Sequence, residues 1–129
     1  MNTNAKQIHP TLTTEGDLVL QEIENGVATL TLNRPKQFNA LSEAMLTSLQ
    51  KKLDEITGKK AVRLVILQGA GKVFCAGHDL KEMIATRKDT YCKTLFMQCS
   101  RMMMTLNQMP QPVIARVHGI ATAAGCQLV

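Results

Sequence analysis

The chain of 129 residues contains no Trp, one Tyr and three Phe, so aromatics make up only 3% of it. Its core must therefore be aliphatic and draw on the eight Met. That suits helices packed on strands better than an aromatic stacking face for single-stranded nucleic acid. No apolar run approaches the roughly 20 residues that span a bilayer, so no membrane partner is expected. The four cysteines (Cys75, Cys92, Cys99, Cys126) lack any CxxC spacing. They read as buried free thiols in a reducing cytoplasm rather than as disulfides, and no metal site is expected. The opening stretch MNTNAKQIHPTLTTEG has neither the apolar core of a signal peptide nor the Arg-rich pattern of a transit peptide. It is read as a flexible arm over residues 1–16, ahead of a domain over 17–129. Acids run out as well: all ten lie between Glu15 and Asp89. A site built from later residues has no carboxylate from its own segment.

What is present is enough for one domain. Hydrophobic residues make up 45% of the chain and the mean hydropathy is −0.03, which excludes a disordered polyelectrolyte. The net charge of +5 raises the question of nucleic acid. Lys51, Lys52, Lys59, Lys60 and Arg63 gather near one helix end, where the macrodipole favours cations. They read as a solvated face, with a polyphosphate groove as the alternative, and no nucleic-acid partner is expected.

Along the chain, DLVLQEIENGVATLTLN reads as a hairpin turning at Asn25-Gly26, a pair suited to positive φ. Ser42 is placed to cap a helix in which Met45, Leu49, Leu53 and Ile56 recur at helical spacing, up to Gly58. AVRLVILQG and VIARV read as strands buried on both faces, as in a parallel sheet. Between them come a short helix in LKEMIATRK and a longer one from about Asp89 to Asn107, with Leu95, Cys99, Met102 and Leu106 on one face. The triplet Met102-Met103-Met104 is read as core packing, a soft binding surface being the alternative. The order of strands and helices implies right-handed parallel crossovers in an α/β fold.

Two strand-to-helix loops are suited to backbone chemistry. In Phe74-Cys75-Ala76-Gly77-His78-Asp79, Gly77 permits a strained turn and Asp79 can cap the helix starting at Leu80. In HGIATAAGCQLV, Ala123, Ala124 and Gly125 leave backbone N–H groups uncovered, and His118 marks a strand end. Two such loops at neighbouring parallel strands could converge on one carbonyl oxygen; ordinary turns are the alternative.

NRPKQFNALS (33–42), KVFCAGHDLKEM (72–83) and PVIARVHGIATAAGCQLV (112–129) resemble, in order and spacing, three signatures of the enoyl-CoA hydratase/isomerase (crotonase) family. The resemblance implies an α/β crotonase fold, a ClpP/crotonase-like spiral of ββα units. The family's domain is about twice as long, so the chain is expected to be its N-terminal part. The implied ligand is an acyl-CoA or enoyl-CoA thioester, which is substrate and not cofactor; no separate cofactor is implied. Its carbonyl would sit between the backbone N–H groups of His78 and Ala124. His78, Asp79, Leu80 and Lys81 match the stretch lining the thioester and pantetheine, with Ala76, Gly77 and Gly125 beside them. Lys36 lies in a loop shaping the CoA site, and Lys36 and Lys81 could face CoA phosphates. Full-length members are expected to be homotrimers or hexamers.

Hydration also needs carboxylates to activate water and protonate the α-carbon. By the same resemblance the first of two glutamates falls at Gln127, and the second beyond Val129. An amide can orient water but exchanges no proton near neutral pH. Enolate-stabilised hydration or isomerisation is the leading expectation, and a non-catalytic acyl-CoA-binding homologue the alternative.

Overall fold

Asn25 and Gly26 both take positive φ, 50° and 81°, the geometry of a type I′ turn. They join two antiparallel strands, β1 (Val19–Glu24) and β2 (Val27–Leu32), with Val19 opposite Leu32 and Glu24 opposite Val27. The computed structural model describes residues 16–129. Apart from Gly16, the arm expected over residues 1–16 lies outside the described residues. Alternate side chains of β2 (Ala28, Leu30, Leu32) are buried, as the period of two requires.

A helix returns the chain so that the next strand can pair in parallel. This is α1 (Glu43–Thr57), capped by Ser42, whose Oγ accepts the Met45 N–H at 3.1 Å. Its stripe of Met45, Leu46, Leu49, Leu53 and Ile56 is buried. Strand β3 (Leu64–Gly69) runs parallel to β2, followed by a short strand β4 (Val73–Cys75) and helix α2 (Leu80–Thr86). The 20-residue α3 (Asp89–Gln108) packs on α1 and buries Leu95, Cys99 and Met102. Gln50 and Gln98 of α1 and α3 bridge the two helices through Thr105 and Thr47, at 2.9 and 2.8 Å. Strand β5 (Val113–Arg116) then joins β3 in parallel, giving the order β1-β2-β3-β5. A second small sheet pairs β4 with β6 (Ile120–Ala121), and the last element is α4 (Ala124–Gln127).

Some expectations need correction. Strand β3 buries Val65 and Leu67 but leaves Leu64 and Ile66 half-buried, and Ile114 of β5 is 51% exposed. The helices cover one face of the sheet, and β5 lies at its edge among the described residues. Helix α2 stops two residues early because Arg87 turns left-handed, with φ of 41°. Cys75 and Cys99 are buried free thiols as expected, whereas Cys92 is half-buried and Cys126 exposed.

The segment 33–42 is fixed by Asn39, which is fully buried with a left-handed φ of 54°. Its Nδ2 donates to the carbonyls of Ala70, Val73 and Phe74 at 2.9, 2.8 and 3.1 Å, and its Oδ1 accepts the Arg34 N–H at 2.9 Å. One amide thus satisfies the interior of two loops. Asn39→Ala is expected to destabilise the fold by about 2–4 kcal/mol, since it leaves several buried groups without partners and puts Ala at positive φ. Urea unfolding should show a lower midpoint at unchanged slope.

Candidate active site

The residues Phe38 to Leu41 form a strap alongside Ala76 to Asp79. Ala76 N–H donates to Phe38 O (3.0 Å), Leu41 N–H to Gly77 O (2.7 Å) and Asp79 N–H to Leu41 O (3.3 Å). Leu41 and His78 therefore form a parallel bridge, in which Leu41 bonds to the residues flanking His78 and leaves His78's own N–H pointing away. That N–H has no acceptor among the described residues. Gly77 reaches φ of +91° to make the turn.

Asp79 locks the far side of this loop. Its Oδ1 caps α2 by accepting the Glu82 N–H at 3.2 Å, and its Oδ2 pairs with Arg34 Nη1 at 3.0 Å. Arg34 Nη1 also donates to Ala40 O at 3.2 Å. Burial by itself would raise the Asp79 carboxyl, but the Glu82 N–H and the Arg34 guanidinium outweigh it and hold the group below its ordinary value.

The second loop is tethered to β4 by Thr122 N–H on Cys75 O (3.1 Å). It turns at Ala123, with φ 51° and ψ −128°, and closes with Gly125 N–H on Thr122 O at 2.8 Å. This is a type II′ turn with Ala where Gly is the easy residue, a conformation costing about 1–3 kcal/mol. The Ala124 N–H, at the start of α4, has no acceptor among the described residues. The two loops touch: a Cβ placed on Gly77 would stand 3.0 Å from Ala123 Cβ and 3.2 Å from Ala124 N. At Gly125 a Cβ would collide with the Cys75 carbonyl, so α4 sits backbone-to-backbone on β4.

An open cleft of about 410 Å³ receives a side chain from each loop, His78 and Gln127. Helix α3 supplies its wall with Phe96, Cys99, Ser100, Met103 and Met104. The His78 ring meets Phe96 edge-on, centroids 5.0 Å apart, and burial pushes its pKa down, so the imidazole is neutral at pH 7. Burial, foremost, raises the thiols of Cys75 and Cys99, so neither is a thiolate nucleophile near neutral pH. The methionine triplet divides: Met102 is core, while Met103 and Met104 face the cleft.

The sequence-derived site residues are thus partly gathered. Ala76, Gly77, His78, Asp79, Ala124 and Gly125 form the two touching loops, and Gln127 meets His78 at the cleft. Leu80 and Lys81 are exposed at the start of α2, and Lys36 is exposed in a 3₁₀ turn (Pro35–Gln37). None of those three lines the cleft. His118 Nε2 donates to Gly71 O (2.6 Å), a structural tie. Sequence reasoning missed the α3 wall, although Phe96, Ser100, Met103 and Met104 recur at helical spacing beside the buried stripe. Among the described residues no cluster of three or more His, Cys, Asp or Glu could hold a metal ion, and no helix is long and apolar enough to cross a membrane.

The chain has the crotonase fold. It superposes on an enoyl-CoA hydratase of Mycobacterium smegmatis with a TM-score of 0.84 at 56% identity, over 86% of this chain and 44% of that one. Human enoyl-CoA hydratase domain-containing protein 3 gives 0.82 at 40% identity, again over 86% and 44%. The sequence profile described as enoyl-CoA hydratase/isomerase matches residues 22–129, and the chain belongs to that family. The mitochondrial enoyl-CoA hydratase domain-containing protein 3 of Xenopus laevis is 41% identical over all of this chain, which spans 42% of that relative's length. The cytoplasmic setting expected from sequence is overturned by such relatives, whose Xenopus and human members are both named mitochondrial and point to mitochondria. Free thiols report a reducing setting without saying which one.

Asp79→Asn keeps a capping side chain but loses the charge pair, and is expected to cost about 1–3 kcal/mol at pH 7. Because the native carboxyl is held below its ordinary value, its contribution is complete above about pH 4 and is lost as the pH falls through the native pKa. Urea unfolding of both proteins across this range should show their difference closing at low pH.

Proposed function

We propose that the chain binds an acyl-CoA or enoyl-CoA thioester with its carbonyl oxygen between the N–H groups of His78 and Ala124, and stabilises the thioester enolate. The observation that carries this reading is that two backbone donors lacking acceptors occur on two touching loops. A ligand oxygen placed between them accepts from both donors at once. In enolate formation negative charge grows on that oxygen, and each aimed donor is worth about 2.7–4 kcal/mol in the transition state. Ala76, Gly77, Asp79 and Gly125 hold the loops in place. Leu80 flanks the pantetheine, and Lys36 and Lys81 lend positive charge to the CoA phosphates. The CoA thioester is substrate, and the reaction is hydration or isomerisation of an enoyl-CoA, in a homotrimer or hexamer.

A second reading is favoured by Gln127. It stands at the cleft where the family resemblance calls for glutamate. The amide can orient water but cannot shuttle its proton. A thioester-binding protein without hydratase activity fits these residues, and crotonyl-CoA turnover separates the two readings.

Ala124→Pro removes one donor at the first helical position, and because proline also restricts the strained Ala123 before it, the variant's folding is checked by circular dichroism. Acetoacetyl-CoA reports on it through the ultraviolet band of its enolate. The wild-type chain is expected to intensify that band on binding, and the folded variant to lose the effect. An unchanged band in a folded variant contradicts the role of Ala124.

A further inference from the structure

We propose that Glu82 and Gln98 are positioning residues: both grip the backbone of Glu43, and together they fix the separation between the His78 loop and the α3 wall across the cleft. This rests on the proposed thioester reading, which uses neither side chain. The three long-range ties meet at the first residue of α1. From α2, the Glu82 carboxylate accepts the Glu43 N–H, at 3.2 Å to Oε2 and 3.4 Å to Oε1. From α3, Gln98 Nε2 donates to the Glu43 carbonyl at 3.3 Å and to Thr47 Oγ1 at 2.8 Å. From the strap, the chain enters Glu43 through Ser42, directly after Leu41 has bridged His78. The Glu43 N–H is one of the donors that a helix start leaves free, and the macrodipole favours a carboxylate there.

Both gripping side chains sit a short covalent path from the cleft. Glu82 is in the first turn of α2, which begins directly after the His78-Asp79 pair, and its own N–H is held by Asp79. Gln98 lies between Phe96, whose ring meets His78 edge-on, and Cys99 and Ser100 of the wall. Helix α2 needs the grip most: it has seven residues and buries no side chain. A helix that short is not stable by itself, and without apolar packing its place is set by the polar ties at Asp79 and Glu82. Enolate stabilisation requires the donors to be held to within a fraction of an ångström, whereas thioester binding tolerates more play. Releasing the grip therefore weakens the enolate more than it weakens binding.

The test titrates the full 129-residue chain with two probes, acetoacetyl-CoA for its enolate band and butanoyl-CoA for affinity. Glu82→Ala is expected to lower the enolate-to-keto ratio at saturation about tenfold, less than deleting a donor outright would. Its affinity for butanoyl-CoA should stay within about twofold of wild type, since the thioester contacts remain. Glu82→Gln keeps an oxygen that can accept the Glu43 N–H and is expected to restore most of the band. Gln98→Ala releases the other side of the grip, should lower the ratio in the same direction, and is the second variant should Glu82→Ala fail to fold by circular dichroism. A full band in the folded alanine variants, or a loss that Glu82→Gln does not restore, overturns the inference and leaves the thioester reading standing. So does an affinity for butanoyl-CoA that falls in step with the band, which marks a merely structural role. Absence of an intensified band in the wild type overturns the thioester reading and this inference together.

Discussion

The pairing of Phe38–Leu41 with Ala76–Asp79 is the constraint on which the site depends. Without it the Gly77 loop would have three backbone groups seeking partners and no reason to hold one orientation. With it, the Leu41 amide and carbonyl take the groups on either side of His78, and the His78 N–H is turned outward by elimination. The strap is itself held from behind by the Asn39 amide and from the side by the Arg34–Asp79 pair. These are short-range bonds between segments far apart in sequence, so the site forms only once the parallel pairing of β2 and β3 has brought the segments together.

The second loop works by a different device. Its N–H is freed by an unfavourable turn at Ala123, and the cost is offset by the seating of Gly125 and Leu128 against β4 and the core. Local conformational preference and global structure disagree here, as they commonly do at functional sites. The same loop lacks acidic side chains altogether, so its chemistry is that of dipoles and not of proton transfer. Those dipoles can stabilise charge on an oxygen, but proton exchange needs another group.

Much of the scaffold was legible in the sequence because it rests on local rules. Asn25-Gly26 specified its turn, Ser42 and Asp79 their caps, and the stripe from Met45 to Ile56 its buried face. Strands β4 and β6 were not legible, since two or three residues cannot display an alternating pattern between glycines. Nor was the role of Asn39: the carbonyls its Nδ2 reaches lie more than thirty positions away, and an Asn after Phe38 reads as one more turn residue. The burial of β3 and β5 was overstated because apolar composition does not say which face a helix covers. For the candidate site, the motifs placed both loops, while the α3 wall needed the tertiary packing of α3 on α1 to be seen.

One claim joins these observations: the His78 and Ala124 N–H groups address a single ligand oxygen. Amide NMR of the isotopically labelled chain titrated with butanoyl-CoA tests it most directly. Both amide resonances are expected to move downfield together along one binding curve, with the strap amides of Leu41 and Asp79 nearly still. Movement of only one of the pair, or of neither while the ligand binds elsewhere, contradicts the claim.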